Sequence, residues 1–249
     1  MKISLITINR NNAKGLKATL CSIAAQLAHL PADVELEHII VDGESSDHSL
    51  SVIDPKLRSN LFVVPPKGVY NAINTGLTAS TGDVVGLLHS GDTFSSDNIL
   101  ATVASYFEKN KNIDYIYGDA YVGRRFYQGE PLSVKMLTEG FAPPHLTLYV
   151  RRNVLDKHGL YDETYRIGAD FDYFARLAVD SDLSGQYLPL TMVDMEGGGI
   201  SQSLFSRLWT NNTEKMRALR KNRLPASRLA VLRHYSKVIK GYLCSSKQN

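Results

Sequence analysis

The feature that most constrains this chain is a repeated ending, in which a short apolar, β-branched run stops on a carboxylate. Ile39-Ile40-Val41 ends on Asp42, and Val84-Val85-Gly86-Leu87-Leu88 leads through His89-Ser90-Gly91 to Asp92. Runs of this kind, alternating with helical stretches, mark βαβ units and a parallel sheet. In such sheets ligands bind outside the carboxyl ends of the strands. A third acid, Asp170, stands in Ile167-Gly168-Ala169-Asp170-Phe171-Asp172. Three acids at strand or helix edges point to one site.

The apolar pattern predicts strands near Ile3–Ile8, Glu35–Val41, Leu61–Val64, Val84–Leu88 and Tyr115–Tyr117. Helices are expected between them, at about Ala13–Gln26, Ser46–Ile53, Tyr70–Ala79 and Ser96–Lys109. Asp47 and Ser96 are the expected starters of two of these, because their side chains accept hydrogen bonds from unpaired first-turn amides. After Gly118-Asp119 the rhythm changes. Tyr121 to Gln128 alternates aromatic and polar residues, and Phe141-Ala142-Pro143-Pro144-His145 forms a loop before the extended run Leu146–Val150. Asn153–His158 and Asp170–Val179 read as helices, Gly185–Leu190 as an edge strand, and Gly197-Gly198-Gly199 as a flexible loop.

A chain of 249 residues, 43% hydrophobic and 21% charged, can bury the core that such a sheet needs. Cys21 and Cys244 form neither a disulfide framework nor a zinc-binding spacing, so both read as reduced thiols of a cytoplasmic protein. The opening run Lys2–Ile8 is too short for a signal peptide, and no stretch of about 18 apolar residues offers to span a bilayer. Charge divides the chain. From Leu204 onward 11 Lys+Arg face the single acid Glu214, a balance of +10, and the remainder carries −7. The expected division is an acidic α/β domain at 1–203 and a basic helical tail at 204–249, drawn to polyanions. Beyond Leu224-Pro225, Leu229, Leu232, Ile239, Tyr242 and Leu243 share an apolar face beside Arg228, Arg233, Lys237 and Lys240. That face fits packing on the domain or peripheral membrane contact. Nucleic acid is not expected as a partner, since charge is its only support.

Four segments in order carry a resemblance. They are Ser4-Leu5-Ile6-Thr7-Ile8-Asn9, Val41-Asp42-Gly43-Glu44-Ser45-Ser46-Asp47, Gly68-Val69-Tyr70-Asn71-Ala72-Ile73-Asn74-Thr75-Gly76 and Leu88-His89-Ser90-Gly91-Asp92. Tyr117-Gly118-Asp119, Pro144-His145 and Gly159-Leu160-Tyr161-Asp162-Glu163 continue the series. From residue 2 to about 200 the chain resembles glycosyltransferase family 2, with the GT-A fold, in the branch that builds bacterial exopolysaccharide or O-antigen chains. The resemblance implies an α/β fold with a mostly parallel central sheet flanked by helices. It also implies a nucleoside pocket lined by Thr7, Asn9 and Asp42, although an Asp-Gly pair is equally at home in a turn. Asn71 and Asn74 would line the donor pocket, or simply face a strand-to-helix turn.

Asp92 matches the last acid of the family's Asp-x-Asp motif, where Mn²⁺ or Mg²⁺ bridges the carboxylate and the donor phosphates. Ser90 and Gly91 replace the motif's other common residues, which weakens the metal site without denying it; a helix cap is the plainer alternative for Asp92. Asp170 matches the general base, with Ala169 in place of a preceding acid and Asp172 as its rival two residues on. Such a base removes the acceptor's hydroxyl proton during inverting transfer; its alternative is helix capping. Asp119 and His145 are acceptor-side candidates. The Gly197–Gly199 loop with Ser201, and Arg207 with Trp209, are candidates for the diphosphate and sugar.

The expectation is therefore a metal-dependent, inverting glycosyltransferase that uses a nucleoside-diphosphate-sugar donor, a UDP-sugar first. Its acceptor would be a saccharide or lipid-linked saccharide at the inner face of a bacterial inner membrane. A dehydrogenase is disfavoured because Asn9-Arg10-Asn11-Asn12, not a glycine fingerprint, follows the first strand, and no phosphate-binding Gly-Lys-Ser/Thr loop occurs. Two alternatives stay open: a catalytically degenerate nucleotide-sugar-binding homologue and a sugar-phosphate nucleotidyltransferase.

Overall fold

Four strands form the parallel half of the sheet, and their residues explain why. The computed structural model describes residues 1–196 and 204–227. In it β1 (Lys2–Asn9), β2 (Glu35–Asp42), β3 (Leu61–Val63) and β4 (Val84–Leu87) lie in the order β3-β2-β1-β4, all parallel. Ile39, Ile40 and Val41 are buried, as a strand covered on both faces requires. Helices α1 (Ala13–Leu27) and α2 (Val69–Ala79) make the crossovers. Gly76 lets α2 approach closely, because a Cβ there would lie 2.4 Å from Ile6 Cγ2. Asn9 pairs with Asp42 at the shared carboxyl edge.

The second half is mixed. It comprises β5 (Thr93–Phe94), α3 (Ile99–Lys109), β6 (Tyr115–Val122), β7 (Arg125–Tyr127), α4 (Val134–Thr138), β8 (Tyr149–Arg151), α5 (Arg152–His158), α6 (Ala169–Val179), β9 (Gly185–Met195) and α7 (Leu204–Lys221). The sheet continues from β4 as β8-β6-β9-β5, with β7 pairing β6. Strand β8 runs antiparallel to both β4 and β6, whereas β6 and β9 are parallel. At the seam Gly86 pairs with Tyr149, and a Cβ on Gly86 would sit 2.4 Å from that ring.

Several expectations are corrected. No α-helix forms over Ser46–Ile53; single 3-10 turns occupy Ser49–Ser51 and Pro55–Asn60. Asp47 caps a different helix, accepting the Ala13 N–H at 3.0 Å and the Ser49 N–H at 2.9 Å. Helix α3 begins at Ile99, not Ser96. Its Leu100 N–H is satisfied at 3.0 Å by buried Gln26 of α1, which also donates to the Ser96 carbonyl. Strand β9 is longer than expected and is not an edge, because β5 pairs along its far side. The run Leu146–Val150 divides into a 3-10 turn at His145–Thr147 and strand β8.

The start of the basic tail belongs to the body. On α7, Met216, Ala218 and Leu219 are buried, and Glu214 accepts the Arg166 and Ile167 N–H groups at 2.8 and 2.9 Å. The expected apolar face from Leu229 to Leu243 lies outside the described residues.

His38 of β2 is buried with Nε2 2.9 Å from Thr7 Oγ1, and desolvation lowers its pKa to about 4. Below about pH 6.5 the unfolded chain takes up a proton that the folded ring refuses. Stability should therefore fall as the pH drops from about 6.5 to 4, by up to about 1.4 kcal/mol per pH unit from this group. Denaturant unfolding at pH 7.5 and 5 should show a smaller loss for His38→Gln than for the parent; equal losses would contradict the assignment.

Candidate functional site

Two loops at the carboxyl edge of the parallel half are stitched together around Asp42. Its Oδ1 accepts the Ser45 N–H, and its Oδ2 accepts from Asn9 Nδ2 and Ser45 Oγ, all at 2.7 Å. Asn11 Oδ1 accepts the Ser46 N–H at 2.7 Å, closing the same corner. Asp42 is wholly buried, and Asn9 Oδ1 beside it is buried without a partner. An unsatisfied amide oxygen at such a rim is available to a donor group. Thr7 lies deeper, wholly buried, with its hydroxyl taken by His38. It does not reach the rim, because the sheet around it is covered on both faces.

Asp92 reaches the same edge from the loop after β4. Ser90 N–H donates to the Ile8 carbonyl and Asn12 Nδ2 to the Ser90 carbonyl, which tie that loop to β1 and to the start of α1. The short β5–β9 pairing then brings in an acid that the sequence reading missed. Asp92 Oδ1 accepts the Glu196 N–H at 2.9 Å, and a Cβ on Gly91, whose φ is +102°, would lie 2.4 Å from Glu196 Oε2. Burial, with a smaller contribution from the Glu196 charge, pushes the Asp92 carboxyl up to about 7. The only sequence signal for Glu196 was an acid immediately before the triple glycine.

This pair fits a hard divalent cation. Two carboxylates stand together, and among the described residues no salt bridge relieves their charge. Among the described residues no group of three or more His, Cys, Asp and Glu side chains is arranged to hold a metal. A bound Mn²⁺ or Mg²⁺ would complete its shell with phosphate and water oxygens, the usual mode for Mg²⁺.

Asp170 opens α6. Its side chain is 32% exposed, with Oδ1 accepting the Phe171 N–H at 2.8 Å and the Tyr70 O–H at 3.5 Å. Its Oδ2 lies 3.7 Å from His145 Nδ1, and His145 Nε2 lies 3.4 Å from His89 Nε2. Desolvation holds both histidines below the ordinary imidazole range. Lys215 of α7 is also near; burial lowers its pKa to about 8, and the Asp170 charge opposes that shift. The rival Asp172 is fully buried, bound by Lys221 at 3.0 Å and paired with Arg176 at 3.2 Å. It fastens α7 to α6.

The remaining candidates divide. Asn74 is consumed by structure: it bonds both the N–H and the carbonyl of Tyr161, at 2.9 and 2.8 Å, and Glu163 Oε1 at 2.8 Å. Asn71 donates to Glu163 Oε2 at 2.9 Å on the wall of an open groove of about 280 Å³ that also includes Lys67, Gly68 and Tyr70. Glu163 was missed because its partners lie some 90 residues away in the chain. Asp119, expected at the acceptor side, is buried with Oδ1 taken by the Gly129 N–H at 2.7 Å and the Tyr187 O–H at 2.8 Å. It anchors the β6–β7 hairpin to β9. The Gly197–Gly199 loop, Ser201 and the Arg207 and Trp209 side chains lie outside the described residues.

Carboxylates gathered at one edge of a half-parallel sheet, one of them part-exposed at the start of α6, are an arrangement suited to an α/β enzyme. The chain belongs to glycosyl transferase family 2, which matches residues 4–165, and it is a glycosyltransferase of the GT-A fold. It is 29% identical over 211 residues to the PGL/p-HBAD biosynthesis glycosyltransferase of Mycobacterium bovis (strain BCG / Pasteur 1173P2), covering 82% of this chain and 80% of that one. It is 28% identical over 184 residues to the glycosyltransferase Rv1514c of Mycobacterium tuberculosis (strain ATCC 25618 / H37Rv), covering 71% and 69%. The fold matches S. aureus TarS 1-349 with a TM-score of 0.66 at 20% identity, over 91% of this chain and 66% of that one. It also matches the mannosyltransferase PcManGT of Pyrobaculum calidifontis, solved with GDP-Man and Mn²⁺, with a TM-score of 0.63 at 18% identity, over 88% and 63%. This chain thus spans just under two thirds of the length of either solved chain.

Because Asn74 is buried and bonded on both sides of its amide, Asn74→Ala should cost about 1–3 kcal/mol of unfolding free energy. Asn71→Ala, half-buried with one bond, should stay within about 0.5 kcal/mol of the parent. Denaturant titration measures both, and equal losses would contradict the structural assignment of Asn74.

Proposed function

We propose that this glycosyltransferase moves one sugar, with inversion, from a nucleoside-diphosphate-sugar donor, UDP-linked first, to a saccharide or lipid-linked saccharide in bacterial surface polysaccharide synthesis. The observation that carries the reading is the placement of Asp170. It is open enough to meet an acceptor, and the chain from His145 to His89 joins it to the loop bearing Asp92. S. aureus TarS has been solved with UDP-GlcNAc, and PcManGT with GDP-Man and Mn²⁺, which supports a nucleotide-sugar donor and a metal.

In this mechanism Asp170 accepts the proton of the attacking acceptor hydroxyl as that oxygen bonds to the anomeric carbon, and the nucleoside diphosphate departs from the opposite face. Asn9 and the loop shaped by Asp42 hold the nucleoside. Asp92 and Glu196 would hold Mn²⁺ or Mg²⁺, and such an ion would supply positive charge for the leaving diphosphate. The part-buried histidines, held below the ordinary imidazole range by desolvation, keep competing charge away from the base.

A panel of UDP-glucose, UDP-galactose, UDP-GlcNAc and GDP-mannose, read by nucleotide release with and without Mn²⁺, should identify the donor and show turnover that chelation removes. Asp170→Asn should then lower turnover by about 10²–10⁴-fold, with UDP binding kept. Donor binding without turnover in the parent would favour a degenerate homologue, and pyrophosphate release from sugar phosphate and nucleoside triphosphate a nucleotidyltransferase.

The catalytic unit extends through α7, so the proposed membrane-contacting part of the tail begins after Ser227. From Arg228 onward the chain has five Lys+Arg and no acid. At about 1 kcal/mol for each basic residue near an anionic surface, this segment is enough for reversible retention at the inner face of the membrane. No helix among the described residues is long and apolar enough to cross a bilayer. Truncation after Ser227 should abolish co-sedimentation with anionic vesicles; unchanged sedimentation would remove the tail from the account.

A further inference from the structure

His89, His145 and Asp170 form a line of three side chains from three separate parts of the chain. His145 Nδ1 faces Asp170 Oδ2 at 3.7 Å, the rings of His145 and His89 face each other through their Nε2 atoms at 3.4 Å, and His89 Nδ1 is shut off from solvent with no hydrogen-bond partner among the described residues. A neutral imidazole carries one N–H and one lone pair, so this line admits few proton arrangements.

The carboxylate of Asp170 can only accept. His145 therefore favours its proton on Nδ1, the nitrogen turned toward that carboxylate at 3.7 Å, which leaves a lone pair on His145 Nε2. His89 must then donate from Nε2, and its Nδ1 becomes a bare lone pair facing no donor. Among these three side chains His89 Nδ1 is the orphan atom, and it is the one this arrangement leaves over. A buried unpartnered nitrogen is costly, and such groups are retained where a function holds them.

We infer that His145 is a positioning residue for the base Asp170, and that His89 positions His145 in turn by selecting the Nδ1–H tautomer. This rests on Asp170 being the base proposed above. His145 Nδ1 attracts Oδ2 across 3.7 Å, while Phe171 N–H and Tyr70 O–H bond Oδ1, so the carboxylate favours one orientation. His89 also belongs to the loop of Asp92, whose N–H donates to the His89 carbonyl at 3.0 Å. The histidine pair therefore ties the acceptor's base to the donor rim. Neither histidine touches reacting atoms.

Long-range ¹H–¹⁵N spectra of the full chain at pH 7.5 read the tautomers without any substrate, with signals assigned from His145→Gln and His89→Gln. His145 should be protonated on Nδ1 alone and His89 on Nε2 alone, and Asp170→Ala should erase the Nδ1 preference of His145. Protonation of His145 on Nε2, or on both nitrogens, would overturn the inference. In turnover of whichever panel donor is active, with water as acceptor if needed, His145→Gln should lower kcat about 10–100-fold with donor KM within about twofold, whereas His145→Asn, whose amide nitrogen replaces Nδ1, should stay within about threefold of the parent. Equal losses in both variants would mean that the ring merely packs. If no donor turns over, the proposed function fails while the tautomers still decide the histidine line.

Discussion

The antiparallel pairing of β4 with β8 is the contact on which the site depends, because it joins the parallel half of the sheet to the mixed half. It requires Gly86 opposite Tyr149, since any side chain at Gly86 would meet the tyrosine ring. The amino end of β8 thereby comes to the carboxyl end of β4, and His145, just before β8, arrives beside His89, just after β4. Asp170 on α6 is linked through that meeting to the loop that bears Asp92.

The site is built from carboxylates and neutral imidazoles in surroundings that disfavour charge. Burial pushes Asp92 up to about 7, while desolvation and the nearby His145 keep His89 from taking up a proton. That setting supports the proposed binding of a divalent cation by Asp92 and Glu196. Asp170 differs in being part exposed and held by donors, which suits the proposed role of base. Asp172, two residues on and so about half a helix turn away, is wholly buried and paired with Lys221 and Arg176, which gives it a structural role.

Legibility followed the range of the interactions. Strand β2 was readable because Ile39-Ile40-Val41 is an unbroken buried run, and α2 because Gly68 and the apolar spacing after it mark a helix start. The segment Ser46–Ile53 misled because Asp47 has a starter's chemistry but spends it on α1, 34 residues away. The short reading of β9 at Gly185–Leu190 missed the continuation through Thr191–Met195, whose role is to pair β5 and deliver Glu196. Asp119 and Asn74 looked like site residues for the same reason: polar side chains bonded to distant backbone are indistinguishable, in one chain, from side chains awaiting a ligand.

The sequence by itself determined the βαβ rhythm, the carboxyl-edge placement of Asp42 and Asp92, the acid that opens α6 and the resemblance to one family, because each depends on local period, short spacing or motif order. Only the tertiary structure decided that Glu196 joins Asp92, that His89 meets His145, and that α7 belongs to the body. Each of these arises where segments far apart in the chain are brought together by strand pairing and core packing, and no local pattern records a contact of that kind.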